Sequence, residues 1–218
     1  MKTEVDHLVV AAASLEQGVA WCEATLGITP GPGGQHPLMG THNRLVHIAS
    51  PAFPAAYLEI IAIDPAAAPP QRRRWFGLDE PAVRARVAQA PRLVHVVARS
   101  RALDMHRWGL VNLGFDAGLP VAASRETPQG RLAWQILVRD DGALLQGGAL
   151  PTLIQWDGAH PTDAMPASGV VLRSLQLGGL PPAVLQLLST AGVTHADTAP
   201  ALRAVLATPL GEVTLESA

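Results

Sequence analysis

The chain repeats itself. A β-branched, apolar run at residues 5–11, VDHLVVA, precedes a helical stripe that stops at Gly27, and residues 92–99, RLVHVVAR, precede another that stops at Gly114. His7 to Gly27 spans 20 residues and His95 to Gly114 spans 19, so LGI and LGF close equivalent helices. A recurring unit of this size is one supersecondary element that cannot bury its apolar face alone. Two such copies must therefore pair, and that requirement constrains the fold more than any other feature of the sequence.

Within the first copy, Ser14 is the expected N-cap, with Gln17 at the capping-box spacing. Leu15, Val19, Cys22 and Leu26 form the apolar stripe, Gly27 supplies the left-handed stop and Pro30 blocks continuation. A Gly/Pro-rich loop at 31–40 leads to strands at 42–49 and 55–63. In the second copy, Ser100 is the expected cap of a helix with Leu103, Leu110 and Leu113 inward, followed by strands at 118–126, 131–139 and 152–156. The segment 64–91 reads as a surface linker with a short helix at 79–89. A third, shorter pattern has a strand at 170–177, a helix from Pro181 to Gly192 and a hairpin of 201–207 and 211–216. The expected architecture is α+β: a βαβββ module at 1–64, a linker at 65–91, a second βαβββ module at 92–157 and a C-terminal βαββ extension at 158–218. The extension's expected job is to cover a sheet face or edge.

Composition narrows the function. Hydrophobic residues make up 48% and charged residues 16%, and 18 acidic against 16 basic side chains leave a formal charge of −2. That balance excludes general disorder and a nucleic-acid partner, which needs a basic stripe to displace counterions. Cys22 stands alone, so neither an intramolecular disulfide nor a thiolate zinc cage can form. Acidic Glu4 and Asp6 precede the first apolar stretch, unlike a secretory signal, and no apolar run reaches the roughly 18 residues of a membrane span. The expectation is a soluble, cytoplasmic protein. Neither a P-loop, GxGxxG nor a nucleophile elbow occurs.

The chemistry-bearing residues sit at equivalent places in the repeat. His7 and His95 lie on the two opening strands; Glu59 lies on the last strand of the first copy, and Gln155 is aligned with it in the second. A carboxylate in an apolar strand needs a partner: a cation, a metal or a strong donor. Two imidazoles, a carboxylate and an amide converging on one cavity would suit Zn, Ni, Mn or Fe. Two other arrangements fit the same residues: core histidines satisfied by hydrogen bonds, and Glu59 paired with an arginine such as Arg44.

VDHLVV, YLEII some fifty residues on, and the repeated unit resemble the vicinal oxygen chelate superfamily of glyoxalase I, extradiol dioxygenases and bleomycin-resistance proteins. GGQHPLMGTHN at 33–43, LVHIASPAFPAAYLEIIAID after it, and TLIQWDGAHP later are similar to its glyoxalase-like branch. The resemblance covers 5–64 closely and 92–160 less so. It implies a cavity inside a U-shaped sheet and a divalent metal held by His7, Glu59, His95 and Gln155. It also implies a small substrate bound through vicinal oxygens, in a lyase, isomerase or dioxygenase reaction. Gln155 stands where glyoxalase I carries a glutamate, and a neutral amide cannot act as a base near pH 7, so proton transfer falls to Glu59. His42 and Asn43 are expected at the cavity mouth, with Tyr57 and Trp134 as walls, although aromatic residues on strands also serve as plain core. A homodimer is the expected assembly. The competing expectation is a metal-free protein of the same fold that binds or sequesters a small molecule.

Overall fold

The computed structural model describes residues 2–217. Strand β1 (Glu4–Ala11), helix α1 (Leu15–Leu26), and strands β2 (Gln35–His36), β3 (Thr41–His47) and β4 (Tyr57–Ile63) form the first half. Helix α2 (Pro81–Gln89) leads to β5 (Arg92–Arg99), helix α3 (Leu103–Asn112), β6 (Leu119–Thr127), β7 (Gly130–Val138) and β8 (Thr152–Trp156). Then follow β9 (Val171–Gly178), helix α4 (Pro182–Leu188), β10 (Val193–Ala196), β11 (Leu202–Thr208) and β12 (Gly211–Glu216). Strands β1 to β8 build one eight-stranded curled sheet, ordered β2-β3-β4-β1-β5-β8-β7-β6.

The opening strands of the two halves lie side by side at the sheet's centre, antiparallel, with His7 opposite Val97 and Val9 opposite His95. Opposed residues share a face, so both histidines look into the same hollow. A register shift in each strand leaves Asp6 and Val94 as extra residues beside those histidines. Such a bulge re-aims a side chain. Parallel pairing of β1 with β4 sets Val9 opposite Glu59, and parallel pairing of β5 with β8 sets Val97 opposite Thr152.

Local signals set the helix. The Ser14 hydroxyl accepts from the Gln17 N–H, Gln17 Oε1 accepts from the Ala13 N–H, and Gly27 takes φ +73°. Gly18, rather than Val19, makes the close contact with the sheet, because a Cβ there would lie 2.4 Å from Ile60 Cγ2. In α3, Leu103 and Leu110 are buried as expected, whereas Leu113 is exposed. His106 is buried and bonds the Ser100 hydroxyl at 2.7 Å; it is not a solvent-facing residue.

The outer face of the central strands is covered by α1 and a second sheet, ordered β10-β9-β11-β12, through Leu172, Leu175, Leu177, Leu202 and Leu206. The extension has one strand more than expected, β10, whose short, exposed sequence carries little alternation. The segment before α2 also departs from a simple surface connector. Trp75, Phe76 and Leu78 are buried in the hollow among Val9, Ile61, Val97 and Ile154. They plug its centre and divide it between the two halves.

Candidate active site

In the first half, the bulge brings Asp6 and His7 together. His7 Nδ1 lies 2.7 Å from Asp6 Oδ1, and its Nε2 lies 3.5 Å from Glu59 Oε2, with all three residues at most 5% exposed. The other Asp6 oxygen accepts from Trp156 Nε1 at 2.9 Å and from His160 Nε2 at 3.1 Å. Burial alone would raise the Asp6 carboxyl, but hydrogen bonds from His160 and His7, and their charges, hold it well below the usual carboxylate range. An ionised Asp6 can only accept, so His7 carries its proton on Nδ1 and directs Nε2 at Glu59. Tyr57 stacks on the imidazole at 4.6 Å, and burial, followed by the Asp6 charge, keeps its phenol neutral.

Glu59 is fixed from the other side. Asn43 Nδ2 donates to Glu59 Oε1 at 2.6 Å, so the partners of this carboxylate are His7 and Asn43 rather than Arg44. Asn43 Oδ1 in turn accepts from the Gly34 N–H at 2.7 Å. His36, on β2, completes the ring: its Nδ1 meets Thr41 Oγ1 at 3.1 Å and its edge meets Trp75. Burial pushes its imidazole down to about 4. With Leu45, Trp134, Trp156 and Arg125, these residues enclose a chamber with room for about one or two waters. Beyond it lies a wide cleft of about 1160 Å³ between the 31–37 loop, the β6–β7 hairpin and residues 159–168.

The second half has a hollow of similar size, lined by Trp75, Phe76, His95 and Thr152, but its imidazole is fully engaged. His95 Nδ1 lies 3.0 Å from the Gly148 carbonyl, and its Nε2 accepts from the Thr152 N–H at 3.1 Å and sits 2.9 Å from the Thr152 hydroxyl. Both nitrogens are spent, and burial pushes the imidazole down to about 3. Phe76 packs on it at 5.4 Å. The expected set of four ligands therefore does not assemble. Gln155 faces the other side of the sheet, where its Oε1 accepts from the Leu103 N–H, because Ile154 and Trp156 take the inward positions of β8. The slot equivalent to Glu59 belongs to Thr152, three residues earlier. His42 likewise points away from the chamber, alternating with Asn43, and lies 3.9 Å from Asp64. Asn43, Tyr57 and Trp134 do line the chamber.

A divalent metal, which this fold family implies, is not accommodated by that set. Of those four, only His7 Nε2 and Glu59 Oε2 present donors to the chamber, and among the described residues no group of three or more His, Cys, Asp or Glu side chains could hold an ion.

Three residues of the site escape a reading of the sequence. Asp6 shares the hollow with His7 only because of the bulge. His36 enters through a two-residue strand inside an irregular loop. Arg125 lies on a strand whose alternating exposure marks it as an ordinary edge.

A curled sheet with the opening strands of two halves paired at its centre, and polar side chains gathered inside, defines a protein of the vicinal oxygen chelate superfamily. The chain matches the Glyoxalase-like domain family over residues 5–197, and it belongs to that family. No curated protein is a significant match in sequence. Among solved structures, a hypothetical protein from Staphylococcus aureus superposes with a TM-score of 0.58 at 15% identity, covering 98% of this chain and 85% of that one. A single-residue variant of methylmalonyl-CoA epimerase from Streptomyces coelicolor, in complex with 2-nitronate-propionyl-CoA, gives 0.41 at 16% identity, over 73% of this chain and 100% of that one. The epimerase from Mycobacterium tuberculosis gives 0.38 at 15% identity, over 74% and 92%. No helix is long and apolar enough to cross a membrane among the described residues.

Proposed function

We propose that the chain is a glyoxalase-like enzyme that moves a proton on a small carbonyl substrate, with Glu59 and His7 as the acid–base pair. The observation that carries this reading is the imidazole of His7 set between two carboxylates, 2.7 Å from Asp6 and 3.5 Å from Glu59, at the wall of a small chamber. Asp6 fixes the tautomer and stabilises positive charge on the ring, the role of an orienting carboxylate in acid–base sites. Glu59, held by Asn43, removes a proton from the carbon beside a carbonyl. The C–H electron pair moves onto the carbonyl oxygen as an enolate, and the proton is shared with His7 Nε2. Its return to the same or the adjacent atom completes an epimerisation or isomerisation. These steps need no ligand from the second half, so they fit a chain in which His95 and Gln155 are engaged elsewhere. A lyase or dioxygenase reaction at a metal held by His7, Glu59, His95 and Gln155 would require β8 to shift register and His95 to leave Thr152.

The test is deuterium incorporation. Proton NMR in D₂O of a panel of small 2-oxo acids and their esters should show enzyme-dependent exchange at the carbon beside the carbonyl. Glu59→Gln should lower it by at least about 100-fold, as expected for loss of a general base, and chelator treatment should leave the wild-type rate unchanged. Exchange abolished by the chelator and restored by a divalent ion would contradict this reading, as would an active Glu59→Gln protein.

A further inference from the structure

Arg125 is the one described guanidinium that reaches the chamber, and no carboxylate of the described residues pairs with it. Its Nε and Nη1 are buried without a hydrogen-bond partner, and it takes part in none of the ion pairs among the described residues. Arg72 and Arg74 also bury an unpartnered Nε, but those guanidiniums pair with Asp140 and Asp79, so among the described residues only Arg125 combines buried, unpartnered nitrogens with the lack of an ion pair. Guanidinium nitrogens withdrawn from water without an acceptor are unfavourable, and such a group persists where something else supplies the anion. Its seat is prepared. A Cβ on Gly34 would lie 2.5 Å from Nη1 and 3.2 Å from Cδ, so only bare backbone lets the side chain lie there. Arg125 and Leu45 border both the chamber and the outer cleft, which places the guanidinium at the neck between them.

We infer that Arg125 is the anchor for a carboxylate on the ligand. The planar fork of arginine matches a carboxylate in two parallel hydrogen bonds, and it is more weakly hydrated than an ammonium group. The carboxylate seats at the neck, the carbon next to it faces the chamber, and an apolar body lies in the cleft along Leu45, Leu132 and Met165. This assigns the substrate class as small carboxylic acids with an apolar body. It rests on the proton-transfer reading only for what happens to the seated ligand, because binding itself needs neither Glu59 nor His7.

Calorimetric titration of the full chain with benzoate, its neutral counterpart benzamide, and inorganic phosphate tests the assignment. Benzoate should bind saturably and at least about tenfold more tightly than either of the other two. Arg125→Gln should weaken it by about tenfold or more. Gly34→Ala, which keeps the charge and fills its seat, should weaken it severalfold and serves if Arg125→Gln does not fold. Arg131→Gln, at the cleft rim and bonded to Ser124, should change it less than twofold. Glu59→Gln should bind benzoate at least as tightly as the parent, so a Glu59→Gln protein that binds and still exchanges overturns the proton-transfer reading and leaves this one standing. Equal binding of benzoate and benzamide, tighter binding of phosphate, full affinity in Arg125→Gln, or no saturable benzoate binding up to about 10 mM would each overturn it.

Discussion

The two halves of the sheet hold the same imidazole in the same place and treat it in opposite ways. His7 and His95 face each other across the central strand pair, each beside a bulged residue and each near the closing strand of its half. Around His7 those neighbours are Asp6 and Glu59; around His95 they are Val94 and Thr152. Two carboxylates flank the first ring, the setting in which the proposed reaction uses it as a proton carrier. A valine and a threonine, with the Gly148 carbonyl, make the second a neutral piece of core. Burial is nearly equal, 4% against 1% exposure, so the partners and not the depth decide the chemistry.

Exchanging each histidine for glutamine sharpens that contrast. His95→Gln should lose about 3 kcal/mol of unfolding free energy, because one amide cannot satisfy both the Gly148 carbonyl and the Thr152 N–H on opposite sides of a ring. His7→Gln should lose about 1 kcal/mol, since its amide can still donate to Asp6 and the other two donors to that carboxylate remain. Chemical denaturation of the two variants at pH 7 measures both. Equal losses would break the comparison.

Acid gives a smaller effect with a definite sign. The His95 imidazole is depressed from its ordinary 6.5 to about 3 in the folded protein, so between those values the unfolded chain binds the extra proton. Its contribution is present above pH 6.5 and is lost as the pH falls through that window, by about 2 kcal/mol from pH 7 to pH 5. His36, depressed to about 4, adds to the same trend. Denaturation at the two pH values should show the drop in wild type and a drop smaller by about 2 kcal/mol in His95→Gln. An identical drop in both would place the titrating group elsewhere.

Much of this was legible in the sequence. The duplicated VDHLVVA and RLVHVVAR runs, the Ser14–Gln17 cap and the Gly27 stop are local signals, and local signals survive into the fold. Equivalent positions in the repeat place His7 and Glu59 together, the family resemblance adds Asn43 and Tyr57 as part of the same cavity, and the period of two along each strand fixes which side chains share that face. The misplacements arose where that period is broken or counted from the wrong residue. A bulge at Asp6 adds a residue to one strand without a mark in the pattern. The register of β8 moves the Glu59 slot from Gln155 to Thr152 because five residues carry too little alternation to choose. Trp75 and Phe76 enter the hollow from a segment rich in proline and arginine, and Arg125 is drawn in by a bare glycine 91 positions away in the chain. Those outcomes depend on contacts between distant segments, which no local window contains.

One imidazole, not two, takes part in the proposed chemistry. The rate of deuterium exchange per folded molecule, measured side by side for His7→Gln and His95→Gln, addresses this directly. A fall of at least about 100-fold for His7→Gln, with His95→Gln within about threefold of wild type, is the predicted result. A folded His95→Gln protein as inactive as its counterpart would mean that both halves serve one centre, as a four-ligand metal site requires.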